Sequence, residues 1–159
     1  MNVEPHKSSL GLDANTLALL SYIAAFVLSW IPVVQYVAWV APLIIFFLEK
    51  QSTFVKFHAM QAFLLEVVVW IFQVVIAIVT TVVWSMYMGA SVYDYGALSA
   101  AAGLAGALGI VLIVVAIIVT IFAIIAMIKA YGYKEYKIPG VGALAEKWSR
   151  KNISPNSPH

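Results

Sequence analysis

The stretch Ile110-Val-Leu-Ile-Val-Val-Ala-Ile-Ile-Val-Thr-Ile-Phe-Ala-Ile-Ile-Ala-Met-Ile128 holds no charged residue and a single hydroxyl. It is the centre of an apolar run from Ala97 to Ala130. A helix rises about 1.5 Å per residue and the hydrocarbon core of a bilayer is about 30 Å thick, so ~20 apolar residues cross it. The rest of the chain has the same character. Hydrophobic residues make up 64% of its 159 residues and charged ones 10%, against roughly 45–50% and about 25% in a soluble domain. A soluble domain of this size has too little interior to hide so much apolar surface. The chain reads as an all-α integral membrane protein.

Working outward from that run, three more apolar segments appear, and spans are expected over about 14–30, 33–48, 57–86 and 97–130. The fold class expected is a four-helix transmembrane bundle within residues 13–151. Asp13 is placed to cap the first helix through its carboxylate. The first two runs lie near the lower limit for a span and are joined by a tight Ile31–Pro32 turn, giving a helical hairpin or a re-entrant pair. The first run could serve as the apolar part of a signal peptide, but Lys7 alone precedes it and no small-x-small cleavage site follows, so it is expected to stay. Pro42 is expected to kink the second helix. Ser52 or Thr53 can cap the third, which is longer than the hydrocarbon core and must tilt or leave its first turns among headgroups. Met88 to Gly96 forms a loop. In the last run, Ala102/Gly106 and Ala105/Gly109 have the small-xxx-small spacing that lets helices approach closely, either inside this bundle or at a dimer seam.

The ends are polar. Residues 1–12 read as a flexible tail and 152–159 as a disordered one. Tyr131, Tyr133 and Tyr136 alternate with Lys129, Lys134 and Lys137, as at a membrane–water boundary. After an Ile138-Pro139-Gly140 turn, Val141, Leu144, Ala145 and Trp148 follow helical spacing. A short amphipathic helix over 141–151 is expected to lie on the membrane surface. Every Lys and Arg falls before the first run, between the second and third, or at and after the end of the fourth. Four crossings with both termini in the cytoplasm satisfy this, and two crossings with a re-entrant hairpin give the same sidedness. The location expected is a prokaryotic plasma membrane.

The absence of cysteine excludes disulfides, thiolate metal sites and cysteine nucleophiles. The net charge of +2 implies no nucleic-acid partner. The three histidines, His6, His58 and His159, lack metal-ligand spacing, and no cofactor motif is present. Glu66 stands out because charge within a span is costly. At 100° per residue it shares one side of the third helix with Ala62 and Gln73, beside His58, with Gln61 on the far flank of His58. This stripe can pack against the other helices. It can also line a polar pathway of His58, Glu66 and Gln73, or meet a partner subunit. His58 and Glu66 have the chemistry for acid–base work but no nucleophile is marked beside them, so no enzyme is expected.

The segment Leu48-Glu-Lys-Gln-Ser-Thr-Phe-Val-Lys-Phe-His-Ala-Met-Gln61 resembles the signature of a family of small bacterial and archaeal membrane proteins of unknown function. The positions that carry it are Glu49, Lys50, Phe54, Val55, Lys56, Phe57, His58, Ala59 and Gln61, with a second match at Tyr136-Lys-Ile-Pro-Gly-Val-Gly142. The resemblance runs from about Asp13 to Trp148. That family is distantly similar to the Tic-twenty-like four-helix subunit of the chloroplast inner-envelope import translocon. The resemblance implies a four-helix bundle and a part in moving or handling proteins; Glu66 is outside the motif.

Physically, the motif reads as a clamp. Phe54, Val55 and Phe57 bury an apolar face, Lys56 reaches lipid phosphates, and His58 with Gln61 bonds exposed carbonyls of the preceding hairpin. The function expected is a non-enzymatic subunit or accessory of a membrane complex, partnered by lipid and by another membrane protein or further copies. A small channel or carrier is the alternative, and an interfacial enzyme the least favoured.

Overall fold

The computed structural model describes residues 2–89 and 94–151. The middle of the expected Met88–Gly96 loop (90–93) and the expected disordered tail (152–159) lie outside the described residues. All regular structure described is helical: α1 (Ala14–Ser29), a 3-10 turn (Val34–Val37), α2 (Val40–Leu48), α3 (Thr53–Gly89), α4 (Tyr95–Tyr131) and α5 (Gly142–Lys151). By length and composition two segments suffice to cross a membrane, Thr53–Met88 and Tyr95–Tyr131, whose most apolar 18-residue stretches have mean hydropathy 2.6 and 3.4. The other two apolar segments, Ala14–Ser29 and Val34–Leu48, are shorter. Of four expected spans, two therefore have full length.

The second expected span is broken rather than kinked. The break falls before Val40, and Pro42 stands in the first turn of α2, where its missing N–H costs no intrahelical bond. The tip that turns α1 back is strained. Val33 has φ +70°, a region a β-branched side chain rarely enters. Asp13 occupies the N-cap position of α1 but its side chain makes no capping bond. Asn15 ties this end down instead, donating to the Tyr131 carbonyl at 3.0 Å.

The chain divides into two compact units. The first comprises Met1–Val67 and Thr120–His159, and so holds α1, α2, α5, the start of α3 and the end of α4. It has two apolar clusters. In one, Ala14, Leu17 and Ala18 of α1 meet Phe54 and Val55 of α3 and Ala130 of α4. In the other, Phe46 of α2 and Phe57, Met60 and Leu64 of α3 meet Ala145 of α5. Residues 54–62 are all buried. The first turns of α3 are thus enclosed on every side, the condition under which a helix is apolar all round except where polar groups find partners.

The amino-terminal residues expected as a flexible tail are hydrogen-bonded into this unit. Val3 N–H donates to the Tyr133 carbonyl at 2.9 Å, Ala14 N–H to His6 at 3.0 Å, and Ser8 N–H to Leu12 at 2.8 Å.

The second unit, Val68–Val119, is the remainder of α3 and α4. Its surface is apolar and exposed, from Ile71, Val75 and Ile78 on α3 to Ile110, Ile113 and Ile117 on α4. A cavity of about 410 Å³ lies beside Trp84 and is lined by Ala101, Ala102 and Ala105. A Cβ added at Gly106 or Gly109 would meet nothing within 4 Å, so among the described residues these glycines serve no close helix packing.

Candidate functional site

Glu49 ends α2 in extended conformation, and its carboxylate turns back over the start of α3. Oε1 accepts from the backbone N–H of Gln51 at 2.8 Å and of Ser52 at 2.9 Å, and both oxygens accept from Ser9 N–H at 3.1 Å. Its residue is 0% exposed. Burial, the largest influence, pushes the carboxyl up, but the bonds from Ser52, Gln51 and Ser9 together outweigh it and hold the group below its ordinary value. A carboxylate at a helix N-terminus is also favoured by the helix dipole.

Ser52 is the cap of α3, its Oγ accepting from Val55 N–H at 3.2 Å. The same Oγ stands 2.7 Å from His6 Nε2. His6 Nδ1 donates to the Glu4 carbonyl at 2.8 Å. Lys50 N–H donates to Ser9 Oγ at 2.9 Å, while the Lys50 side chain is exposed. This half of the motif is a helix cap shared with the amino-terminal segment.

The other half is a relay in the core. Gln61 Nε2 donates to Tyr22 Oη at 3.0 Å and to the Tyr136 carbonyl at 3.0 Å, and its Oε1 accepts from Ile138 N–H at 3.1 Å. The Ile138 donor and Tyr136 acceptor fix which way the amide points. Tyr22 Oη lies 3.1 Å from His58 Nδ1. Since the hydroxyl accepts from Gln61, its own proton is satisfied by donation to Nδ1, which places the ring proton of a neutral His58 on Nε2. Nε2 is buried and has no hydrogen bond of full geometry among the described residues, the Lys134 backbone being the ring's weak hydrogen-bond partner. Phe54, Phe57 and Tyr22 surround it, with ring centroids at 4.7, 5.1 and 5.9 Å.

Phe54 also stacks on Tyr133, 5.8 Å apart with an interplanar angle of 24°. Tyr133 holds φ +53°, the left-handed position just past α4. Lys134 N–H bonds the Lys129 carbonyl at 2.9 Å and Tyr133 N–H that of Ala130 at 3.0 Å, the paired bonds of a Schellman cap. The chain then turns at Gly140, φ +85°, and enters α5 at Gly142. A Cβ on Gly142 would lie 2.7 Å from Lys137 Cα.

Several expectations about the motif change. Lys56 does not reach lipid phosphates; it is 4% exposed, with Nζ 5.4 Å from the centroid of the Phe46 ring. His58 and Gln61 do not bond carbonyls of the preceding hairpin. They reach the Tyr22 hydroxyl of α1 and the backbone after α4. Phe54, Val55 and Phe57 are buried. Of the pathway residues, His58 is enclosed, Glu66 is half-buried, and Gln73, in the second unit, lines a cavity of about 200 Å³ with Phe72, Leu112 and Ile113. No hydrogen-bond network joins the three among the described residues. Nothing in the sequence marks Tyr22 and Ser9 as partners of the motif, and His6 is marked only as a histidine without metal-ligand spacing; the one cue is a tyrosine within the apolar first run. No group of three or more metal-ligating side chains occurs among the described residues.

Comparison with known proteins supports a small membrane-protein family. The profile of the magnetosome magnetite crystal formation protein family, MamF/MmsF, matches residues 13–145. Two UPF0132 membrane proteins of Methanocaldococcus jannaschii are similar along most of their length. One is 28% identical over 145 residues, covering 91% of this chain and 96% of its own. The other is 27% identical over 143 residues, covering 90% and 75%. No solved structure matches the chain. The distant kinship with the chloroplast translocon subunit is not shown by these similarities.

Proposed function

Because this chain belongs to the MamF/MmsF family of membrane proteins, we propose that it is a non-enzymatic component of a membrane assembly. The carrying observation is that the motif is turned inward: Glu49, His58 and Gln61 are each 0% exposed and are engaged by the fold's own groups. A catalytic site needs a group that reaches substrate, whereas these residues hold α1, α3 and the segment after α4 together. The motif on this reading is a lock, and the apolar surface of the two long helices is what the protein offers to lipid and to other membrane-embedded chains. The family's description names magnetite crystal formation. A role in protein translocation would be one form of such assembly.

Gentle detergent extraction followed by light scattering should yield a defined homo-oligomer or a stoichiometric partner. A monodisperse monomer that brings nothing with it would overturn the proposal.

A further inference from the structure

The spacing of α5 gives an apolar face of Val141, Leu144, Ala145 and Trp148 expected to lie on the membrane surface, but the folded chain divides that set. Gly142, Ala145 and Ser149 are buried within the first unit, while Leu144 and Trp148 stay 38% and 41% exposed. At 100° per residue, Leu144, Lys147, Trp148 and Lys151 fall within one arc of about 100°, opposite the buried face. Both lysines are exposed. The acid of the helix is taken up elsewhere. Glu146 binds Lys137 at 2.6 Å and Arg150 at 2.7 Å. The hydrogen bond from Lys137 is the main cause that lowers its carboxyl below the ordinary value.

Depth is set by packing. Ala145 clusters with Phe57, Met60 and Leu64, on the early turns of a helix long and apolar enough to span. The outward arc of α5 therefore sits beside the end of a span. A tryptophan and a leucine flanked by lysines, with no acid on the arc, complement a headgroup region that carries negative charge. Two copies of this face would repel each other. We infer that the Leu144–Lys147–Trp148–Lys151 face of α5 docks on anionic phospholipid, the apolar pair entering the acyl boundary and the lysines meeting phosphate. The inference is independent of assembly, since a monomer presents the same face.

The chain has no cysteine, so Leu144→Cys in the full-length protein carries a single fluorophore. In nanodiscs of phosphatidylcholine and phosphatidylglycerol, quenching is read with either lipid brominated. Brominated phosphatidylglycerol should quench more strongly. Lys147→Gln with Lys151→Gln should reduce that preference by about 30-fold, at about 1 kcal/mol per lysine. Lys147→Gln alone gives the same reading, by about fivefold, if the double variant folds poorly. Equal quenching by the two lipids, quenching by neither, or a preference untouched by the lysine changes would overturn the inference. So would emission that shifts only on raising protein concentration in neutral discs, the mark of a second copy, or only on adding an acidic protein.

Discussion

Gln61 reaches the Tyr22 hydroxyl across 3.0 Å, joining α3 to a helix thirty-nine residues earlier in the chain. The same amide holds the backbone of Tyr136 and Ile138. Three parts of the first unit thus meet on one side chain, and each of its bonds leaves an unsatisfied polar group if it is lost.

Replacing Gln61 with Ala should therefore lower stability by about 2–4 kcal/mol, because an orphaned buried donor or acceptor costs about 1–3 kcal/mol. Thermal unfolding in mild detergent, followed by near-ultraviolet circular dichroism, measures this. A midpoint equal to the parent's would show that the relay holds nothing.

Glu49 makes stability depend on acid in a definite direction. Its carboxyl lies lower in the folded chain than its ordinary value of about 4.3. Its contribution is therefore present above the unfolded value and lost as pH falls through the folded one. Glu49→Gln should cost about 2 kcal/mol at pH 7, where charge-assisted bonds are replaced by weaker ones, and the gap should narrow below about pH 4. Unfolding midpoints of both proteins at the two pH values test it; a constant gap would refute the assignment.

Tyr133 inverts the usual order of Ala and Gly. A left-handed residue without glycine is strained by about 1 kcal/mol, which Gly removes and Ala keeps. Both substitutions lose the stack on Phe54, itself about 0.5–1.5 kcal/mol. Tyr133→Gly should therefore remain near the parent's stability, while Tyr133→Ala falls about 1 kcal/mol below the glycine variant. Equal unfolding midpoints for the two variants would argue against the Schellman geometry.

Gly142 has no room for a methyl group, because the obstacle is the Lys137 backbone itself. Gly142→Ala should displace α5 at a cost of about 1–3 kcal/mol. Hydrogen exchange over residues 142–151 should speed up while α4 retains its protection. Unchanged exchange in α5 would mean that the segment accommodates the methyl without moving.

The apolar runs, their helical state, a cap at Ser52 or Thr53 and the Pro139–Gly140 turn were legible because each depends on neighbours within a few residues. Burial of the whole stretch from Phe54 to Ala62 was not. A run that mixes Lys56, His58 and Gln61 with aromatics reads locally as an interface with one wet side, and only the elements packed around it remove that side. The break before α2 also escaped, since Pro42 marks the neighbourhood of a break without saying which turn gives way.

By itself, the sequence determined that this is a helical membrane protein with a polar motif between its second and third apolar runs, because hydropathy and spacing are sums over adjacent residues. The tertiary structure alone decided where the motif's side chains sit. Whether His58 and Gln61 face water, lipid or a partner depends on Tyr22, Tyr136 and Ile138, residues remote in sequence that only folding brings within 3.1 Å. The same holds for α5, where packing took Ala145 out of the apolar face that the spacing implies and left Leu144 and Trp148 exposed.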